Sequence, residues 1–199
     1  MRIIAGARRG MRLWGPGHKG GLKLRPTSDR AREALFNILR PEVLRGALVL
    51  DLFAGTGALG LEALSRGARE AVFVDGSTLA LGLIKKNIAQ CGFSERTRVL
   101  RRDLLKGRFF LSSSGLGGPF NLLLMDPPYR QQICHRLLPE LSAAGLIAPA
   151  GLVVCEESQD EELPEEVPGL RVFDQRRYGD TGFWFYRQGL KAESLPISD

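Results

Sequence analysis

Four aspartates stand at or near the ends of apolar runs that have the composition of buried strands: Asp51, Asp75, Asp103 and Asp126. A single aspartate at a strand end is commonly a cap or turn residue. Here, however, strands alternate with helices, which predicts a parallel sheet whose carboxyl ends meet at one ligand-binding edge. We therefore expect these four carboxylates to surround one crevice.

A glycine-rich turn follows the first aspartate. Residues 55–60 read Gly-Thr-Gly-Ala-Leu-Gly between a predicted strand and helix, with Asp75 twenty residues after Gly55. This spacing is typical of dinucleotide-binding turns, although a turn that needs glycine only for packing would look the same. Asp51 argues against a pyrophosphate, because a carboxylate beside a helix N-terminus would repel it. It would attract a sulfonium and an ammonium, so the pattern favours S-adenosylmethionine over a nicotinamide cofactor.

The same argument assigns roles around this turn. The glycines would let the backbone approach the methionine and ribose portions, Asp75 would accept hydrogen bonds from ribose hydroxyls, and Asp103 would accept one from the adenine amino group. The cofactor-binding candidates are Asp51, Phe53, Ala54, Gly55, Gly57, Asp75 and Asp103.

The fourth aspartate opens the tetrapeptide Asp126-Pro127-Pro128-Tyr129. Two prolines end a strand, since neither can donate a ladder hydrogen bond. The Asp126 carboxylate and the Pro127 carbonyl would accept the N–H groups of an exocyclic amine, direct its lone pair towards a methyl donor and stabilise the developing charge. Tyr129 would stack on the base, while the prolines hold the acceptors in place. We predict that Asp126, Pro127, Pro128 and Tyr129 are catalytic.

Positive charge is concentrated at the start of the chain. Residues 1–45 carry eleven bases and three acids, a net +8, whereas the whole chain has +6, so the remainder carries −2. This asymmetry is typical of a polyanionic partner, and on charge alone a solvated basic surface is an equal alternative. The candidate phosphate contacts are Arg8, Arg9, Arg12, Arg25, Arg30 and Arg32.

Three dispersed cysteines and two histidines indicate neither a disulfide framework nor a metal site, so we expect a metal-free cytoplasmic protein. No apolar run reaches the length of a membrane span.

The predicted organisation has three parts: a basic hairpin and helix at 1–45, a doubly wound α/β domain at 46–189, and a tail at 190–199. The first helix would be capped near Thr27–Asp29 and end before Pro41. We expect strands near 47–53, 70–75, 98–103, 120–126, 151–156, 170–176 and 181–187, and helices near 58–66, 78–91 and 131–144. Residues 112–118 and 157–168 are predicted loops.

Assembled, these segments resemble the RsmD family of bacterial 16S rRNA guanine-N2 methyltransferases, which are class I amino-methyltransferases. The resemblance covers about residues 1–188. It is carried by Met1–Gly6, Asp51–Gly57, Asp126–Tyr129, Arg177–Thr181 and above all Arg25–Asn37. In this family an acid and then charged residues usually follow the second strand, whereas here Asp75 is followed by Gly76, Ser77 and Thr78.

The resemblance implies a Rossmann-like, mostly parallel seven-stranded sheet with an antiparallel last strand and an N-terminal β-hairpin extension. It implies transfer of a methyl group from S-adenosylmethionine to one guanine of 16S rRNA, in the small ribosomal subunit or its assembly intermediate. The small chain leads us to expect a monomer.

Three alternatives stay open. A DNA adenine-N6 or cytosine-N4 methyltransferase uses the same tetrapeptide, but it normally has a separate recognition domain, for which 199 residues leave little room. An NAD-dependent dehydrogenase would use the glycine turn but has no use for Asp126 before two prolines. An inert RNA-binding factor would keep the fold without the chemistry.

Overall fold

One sheet of eight strands organises the chain. The computed structural model describes residues 1–16, 29–105 and 115–188; the predicted tail, Arg25 and the Thr27–Ser28 part of the helix cap lie outside the described residues. The strands are β1 (Leu48–Leu52), β2 (Glu70–Asp75), β3 (Thr97–Arg101), β4 (Phe120–Met125), β5 (Ile147–Ser158), β6 (Glu166–Val167), β7 (Leu170–Tyr178) and β8 (Thr181–Gln188).

Across the sheet the order is β3-β2-β1-β4-β5-β8-β7-β6. The first five strands in this order are parallel neighbours, while β8 is antiparallel to β5, β7 to β8, and β6 to β7. The chain order reverses direction between β1 and β4, which places a crevice at their carboxyl ends.

Helices cover both faces of the sheet because β1 is apolar on both sides. Val49 belongs to a core cluster shared with α1 (Asp29–Ile38), α3 (Ala58–Ser65) and α4 (Thr78–Cys91). Leu50 and Leu52 belong to the opposite cluster, shared with α5 (Ile133–Ala143). None of the helices within the described ranges has the length and apolar character to span a membrane.

The α/β class, the mostly parallel sheet and the antiparallel last strand are confirmed, but the sheet has eight strands instead of seven. The extra strand is β6, two residues that pair with β7 inside the predicted loop at 157–168. The predicted start of that loop, at residue 157, was also wrong. β5 continues to Ser158 in register with β8, and Glu157 is buried. The sequence did not indicate this extension of β5, because buried glutamates are rare and its acidic residues suggested a solvated loop.

A second difference concerns Pro41. It was expected only to end the first helix, but it also begins a four-residue helix, α2 (Pro41–Leu44). Proline is well suited to the first helical position, where its missing N–H would have no partner in the helix.

The N-terminal residues form a short hairpin-like arm instead of a long ladder. A single antiparallel bridge joins Arg2 and Arg12, with Ile3 N donating to Met11 O at 2.9 Å, and residues 6–8 form a 3₁₀ turn. Ile3 and Leu13 are buried in the α1-side core cluster. The arm is therefore packed against the sheet domain through apolar contacts.

A buried carboxylate attaches this arm to α3. Glu62 is fully buried, and its oxygens accept hydrogen bonds from Ile4 N at 2.8 Å, Ala5 N at 3.0 Å and Arg66 Nε at 2.8 Å. Arg32 Nε lies 4.0 Å from the same carboxylate. Backbone donors and guanidinium groups thus offset the cost of burying a charge.

Arg32 is therefore not placed to contact a phosphate, contrary to the sequence-based expectation. Its side chain is fully buried, and Nη2 donates to the Arg2 carbonyl and to Asp29 Oδ1 at 2.9 Å. Its basic neighbours gave no sign of this, because charge alone does not distinguish a buried arginine from an exposed one.

We expect Glu62→Ala to lower the free energy of unfolding by about 3–5 kcal/mol, because it removes the partner of buried donors. Glu70→Ala is the matched control: the Arg69–Glu70 pair is exposed, and its loss should cost less than about 1 kcal/mol. Urea unfolding followed by far-UV circular dichroism measures both. Equal losses in the two variants would show that Glu62 does not anchor the arm.

Candidate active site

A cavity of about 510 Å³ opens at the carboxyl ends of β1, β2 and β4. It brings together ten of the eleven predicted cofactor and catalytic residues: Asp51, Phe53, Ala54, Gly55, Asp75, Asp103, Asp126, Pro127, Pro128 and Tyr129. Gly57 does not line it and instead caps the start of α3. The cavity is also lined by Met1, Thr56, Leu59 and Leu104.

The turn from β1 into α3 is tight enough to need unusual backbone angles. Gly55 has φ 56° and Gly57 φ 78°, and Phe53 also adopts a positive φ of 59°, which costs a residue with a side chain roughly 1 kcal/mol or more. At Gly60 a Cβ would lie 2.4 Å from Phe73 Cε1. Glycine there lets α3 pack directly against β1 and β2.

Asp51 is 1% exposed, and its Oδ2 accepts a hydrogen bond from Gly60 N at 2.9 Å. Burial raises the pKa of this carboxyl to about 8; the Gly60 N–H opposes the rise, and the nearby Asp126 and Asp75 carboxylates add to it. In the protein alone, Asp51 therefore carries a proton at neutral pH. This refines the sequence argument, which treated Asp51 as a fixed negative charge.

Asp75 holds the glycine turn with one carboxylate oxygen and the start of α4 with the other. Oδ2 accepts from Gly55 N at 2.9 Å, and Oδ1 accepts from Ser77 N at 2.8 Å. A carboxylate has about four lone-pair sites, so Asp75 retains acceptor capacity towards the cavity. Asp103 is more exposed; it lies on the rim, where Oδ1 accepts from Leu105 N at 3.1 Å.

Tyr129 is clamped by two residues that the sequence did not reveal. Its hydroxyl donates to Glu156 Oε1 at 3.0 Å and lies 3.3 Å from Thr181 Oγ1. Glu156 is 3% exposed near the end of β5, and Thr181 begins β8. Burial, and then the Glu156 charge, raise the pKa of Tyr129 above its usual range.

The next residue of β5 holds the far end of the same loop. Glu157 Oε1 accepts from Arg130 N at 3.3 Å, where Arg130 has a positive φ of 61°. Burial raises the pKa of Glu157. Consecutive β5 carboxylates therefore fix both Tyr129 and the residue after it.

The remaining phosphate-contact candidates differ in their surroundings. Arg8 is exposed, yet its Nε donates to Cys91 O at 2.6 Å and its guanidinium lies 5.6 Å from the Phe93 ring. Arg9, Arg12 and Arg30 are exposed. In the part of the chain that the structure describes, no group of His, Cys, Asp and Glu is arranged to hold a metal ion.

Sequence comparison matches residues 1–187 to the family described as conserved hypothetical protein 95. The Escherichia coli K12 protein named ribosomal RNA small subunit methyltransferase D is 34% identical over 98% of this chain and 93% of its own length. The chain belongs to the RsmD family.

Two further similar proteins support this family assignment. YlbH of Bacillus subtilis, provisionally named as an rRNA methyltransferase, is 34% identical over 94% of this chain and 99% of its own length. The solved structure of yhhF from Escherichia coli, provisionally described as a methyltransferase, superposes with a TM-score of 0.77 at 33% identity, covering 94% and 97% of the two chains. RsmD family membership and this likeness make the chain a class I methyltransferase.

The clamp on Tyr129 generates a prediction. Tyr129→Phe keeps the ring but removes both hydroxyl contacts, so turnover should fall about tenfold, as expected for a lost hydrogen bond to a charged group. Glu156→Leu, which removes the acceptor of the Tyr129 hydroxyl, should have a similar effect. The two changes combined should be less than additive because they break the same contact.

Steady-state methyl transfer measures these effects. Tyr186→Phe is the matched control. It removes a hydroxyl that lies away from the cavity and donates to Pro164 O at 2.8 Å. A full loss in Tyr129→Phe with no loss in Glu156→Leu would show that the hydroxyl acts without this clamp.

Proposed function

We propose that this protein transfers a methyl group from S-adenosylmethionine to the exocyclic N2 of one guanine in 16S rRNA, presented by the small ribosomal subunit or its assembly intermediate. The observation that carries the proposal is that Asp126-Pro127-Pro128-Tyr129 shares one cavity wall with the glycine turn and Asp75. The donor and the acceptor nitrogen would meet there. The E. coli relative, which is named for small-subunit rRNA, supports the choice of acceptor.

The residues present fit the cofactor. A cavity of about 510 Å³ is within the range of small-molecule sites. The cofactor supplies a methyl group activated by a sulfonium. Asp75 would accept from the ribose hydroxyls, Asp103 from the adenine amino group, and Gly55 would allow close approach of the backbone. Asp51 would face the cationic portion and lose its proton on binding.

The tetrapeptide fits the acceptor amine. The Asp126 carboxylate and the Pro127 carbonyl would accept its two N–H groups and stabilise the positive charge that develops on nitrogen. Pro127 and Pro128 keep these acceptors rigid, and Tyr129 would stack on the base in the orientation that Glu156 and Thr181 impose. No strong general base is needed, because the methylated nitrogen becomes acidic.

We further propose that residues 1–45 contact the RNA, that residues 46–189 form the catalytic domain, and that the protein acts as a cytoplasmic monomer. The proposed RNA contact is supported by the exposure of Arg9, Arg12 and Arg30. The exocyclic amines of DNA bases are the alternative acceptors. The dehydrogenase alternative has no support from the relatives, which are named as methyltransferases.

The proposed reaction predicts transfer of label from methyl-labelled S-adenosylmethionine to unmodified small ribosomal subunits or 16S rRNA. Mass spectrometry of nuclease digests should find N2-methylguanosine. Asp126→Ala should abolish turnover and leave the cofactor dissociation constant within about twofold, since its carboxylate serves the acceptor.

Duplex DNA and nicotinamide cofactors are the comparison ligands. Label in DNA alone, or in no nucleic acid, would reject the proposed acceptor. A large loss of cofactor affinity in Asp126→Ala would show instead that this carboxylate serves the donor.

The pKa of Asp51 makes cofactor binding pH-dependent. Below about pH 8 the free protein holds a proton on Asp51, and a bound cation favours the ionised form, so binding releases the proton. Affinity for S-adenosylmethionine should therefore rise from about pH 6 to 8, by at most about tenfold per pH unit.

Calorimetry in buffers of different ionisation enthalpy measures the released proton directly. Asp51→Asn supplies the baseline, because it retains an acceptor for Gly60 N but cannot ionise. S-Adenosylhomocysteine, which lacks the sulfonium charge, should show a weaker dependence. The same proton release in wild type and Asp51→Asn would place the titrating group elsewhere.

A further inference from the structure

The outer hairpin of the sheet, β7 and β8, carries an exposed row of arginine and aromatic side chains. The Arg187 guanidinium lies 3.9 Å from the centre of the Phe173 ring, which is 44% exposed, and Arg171 is paired opposite Arg187. Tyr178, 39% exposed, packs its ring 6.2 Å from Phe183. We call Arg171, Phe173, Arg176, Tyr178 and Arg187 the hairpin face.

These side chains share one side of the sheet. Phe183 and Phe185 belong to the α1-side core cluster, and side chains two residues apart on a strand point the same way, which places Arg187 with them. Cross-strand partners also share a side, so Arg171 joins Arg187, and Arg176 joins Phe183. Phe173 lies at a register shift in β7 and contacts Phe185 at 6.2 Å.

One end of the hairpin face reaches the catalytic loop. Tyr178 is paired with Thr181, and Thr181 Oγ1 is 3.3 Å from the Tyr129 hydroxyl. Because Thr181 is also paired with Ser158 at the end of β5, this tip lies at the edge where the cavity opens. From there to Arg187 the face extends about 20 Å, at about 3.4 Å per residue.

We propose that the hairpin face binds the single RNA strand that flanks the methylated guanosine. The inference rests on the proposed function and extends it, because the predicted contacts were all in residues 1–45. At about 3.4 Å per stacked nucleotide, the face spans about six nucleotides leading away from the cavity.

The chemistry of the face suits a nucleic acid strand. Exposed aromatic rings stack on bases irrespective of sequence, and arginines beside them bind phosphates or stack in turn. Asp174 lies among them and pairs with Arg176 at 3.2 Å. Among the described residues neither Arg171 nor Arg187 forms an ion pair within 4.0 Å, although Glu166 of β6 is the cross-strand neighbour of Arg171. Arg187 therefore offers the less compensated charge to a phosphate.

The test compares Arg171→Gln/Arg187→Gln with wild type and with Arg69→Gln. Arg69 is an exposed arginine just before β2, which is separated from β8 by three strands of the sheet. Dissociation constants for unmodified small subunits and naked 16S rRNA are measured from about 0.05 to 0.2 M salt. The double variant should bind both about tenfold more weakly at 0.1 M salt. The slope of log affinity against log salt concentration should become shallower by about 1.4, since each lost phosphate contact on a single strand contributes about 0.7.

Ultraviolet cross-linking of wild type to 16S rRNA, with peptide mapping, adds a direct readout. Nucleotides attached to peptides that contain Phe173 or Tyr178 are expected. The cofactor dissociation constant, the melting temperature and the single-turnover rate at saturating subunits should match wild type, since the substituted arginines lie far from the cavity. Label transfer by wild type in the same reactions tests the proposed function separately.

Two results would overturn the hairpin-face proposal while wild type still methylates the subunit. One is a double variant that binds like Arg69→Gln with an unchanged salt slope. The other is weaker binding to subunits with unchanged binding to naked rRNA, which would identify a ribosomal protein as the occupant of the face.

Discussion

The turn between β1 and α3 is the constraint on which the site depends. Its backbone runs through positive φ angles at Phe53, Gly55 and Gly57, and such a path persists only when surrounding groups hold it. Asp51 and Asp75 hold it from the strands through the N–H groups of Gly60 and Gly55. Asn87 of α4, fully buried, holds it from outside by donating to Thr56 O at 2.9 Å.

The same scaffold fixes the N-terminal arm. Asn87 also donates to Trp14 O and accepts from Trp14 N, while Glu62, one turn along α3 from the glycines, binds Ile4 N and Ala5 N. The groups that shape the cofactor turn are thus joined through two helices to the groups that hold the arm. Asn87 therefore contacts both the arm and the turn.

Holding the turn with carboxylates has an electrostatic cost. Burial is the main cause of the raised pKa of Asp51, and the nearby Asp126 and Asp75 carboxylates raise it further. A site that crowds acids in this way is poorly suited to a phosphate-bearing ligand and well suited to a cation. This reproduces, from structure, the preference that Asp51 alone indicated in the sequence.

Most of the sheet and cavity could be predicted because their signals are local. Ser77 and Gly92 bracket α4, and Asp75 ends β2, through capping and turn chemistry that depends on neighbours in sequence. Glu156, Thr181 and buried Arg32 escaped prediction because their partners lie 27, 52 and 30 residues away in sequence. Glu156 ends the strand predicted at 151–156, so the rule that ligand-contacting residues end strands would have indicated it, but no role was assigned to it.

Those long-range contacts determine how the catalytic loop is supported. After Pro128 the loop leaves the sheet, so its own backbone cannot orient Tyr129. The orientation comes instead from Glu156 and Thr181, which are paired within the β5–β8 ladder and cannot move independently of it. The antiparallel end of the sheet therefore supports the active site directly. A sheet that ended at β5 would leave the Tyr129 hydroxyl without its contact to Thr181.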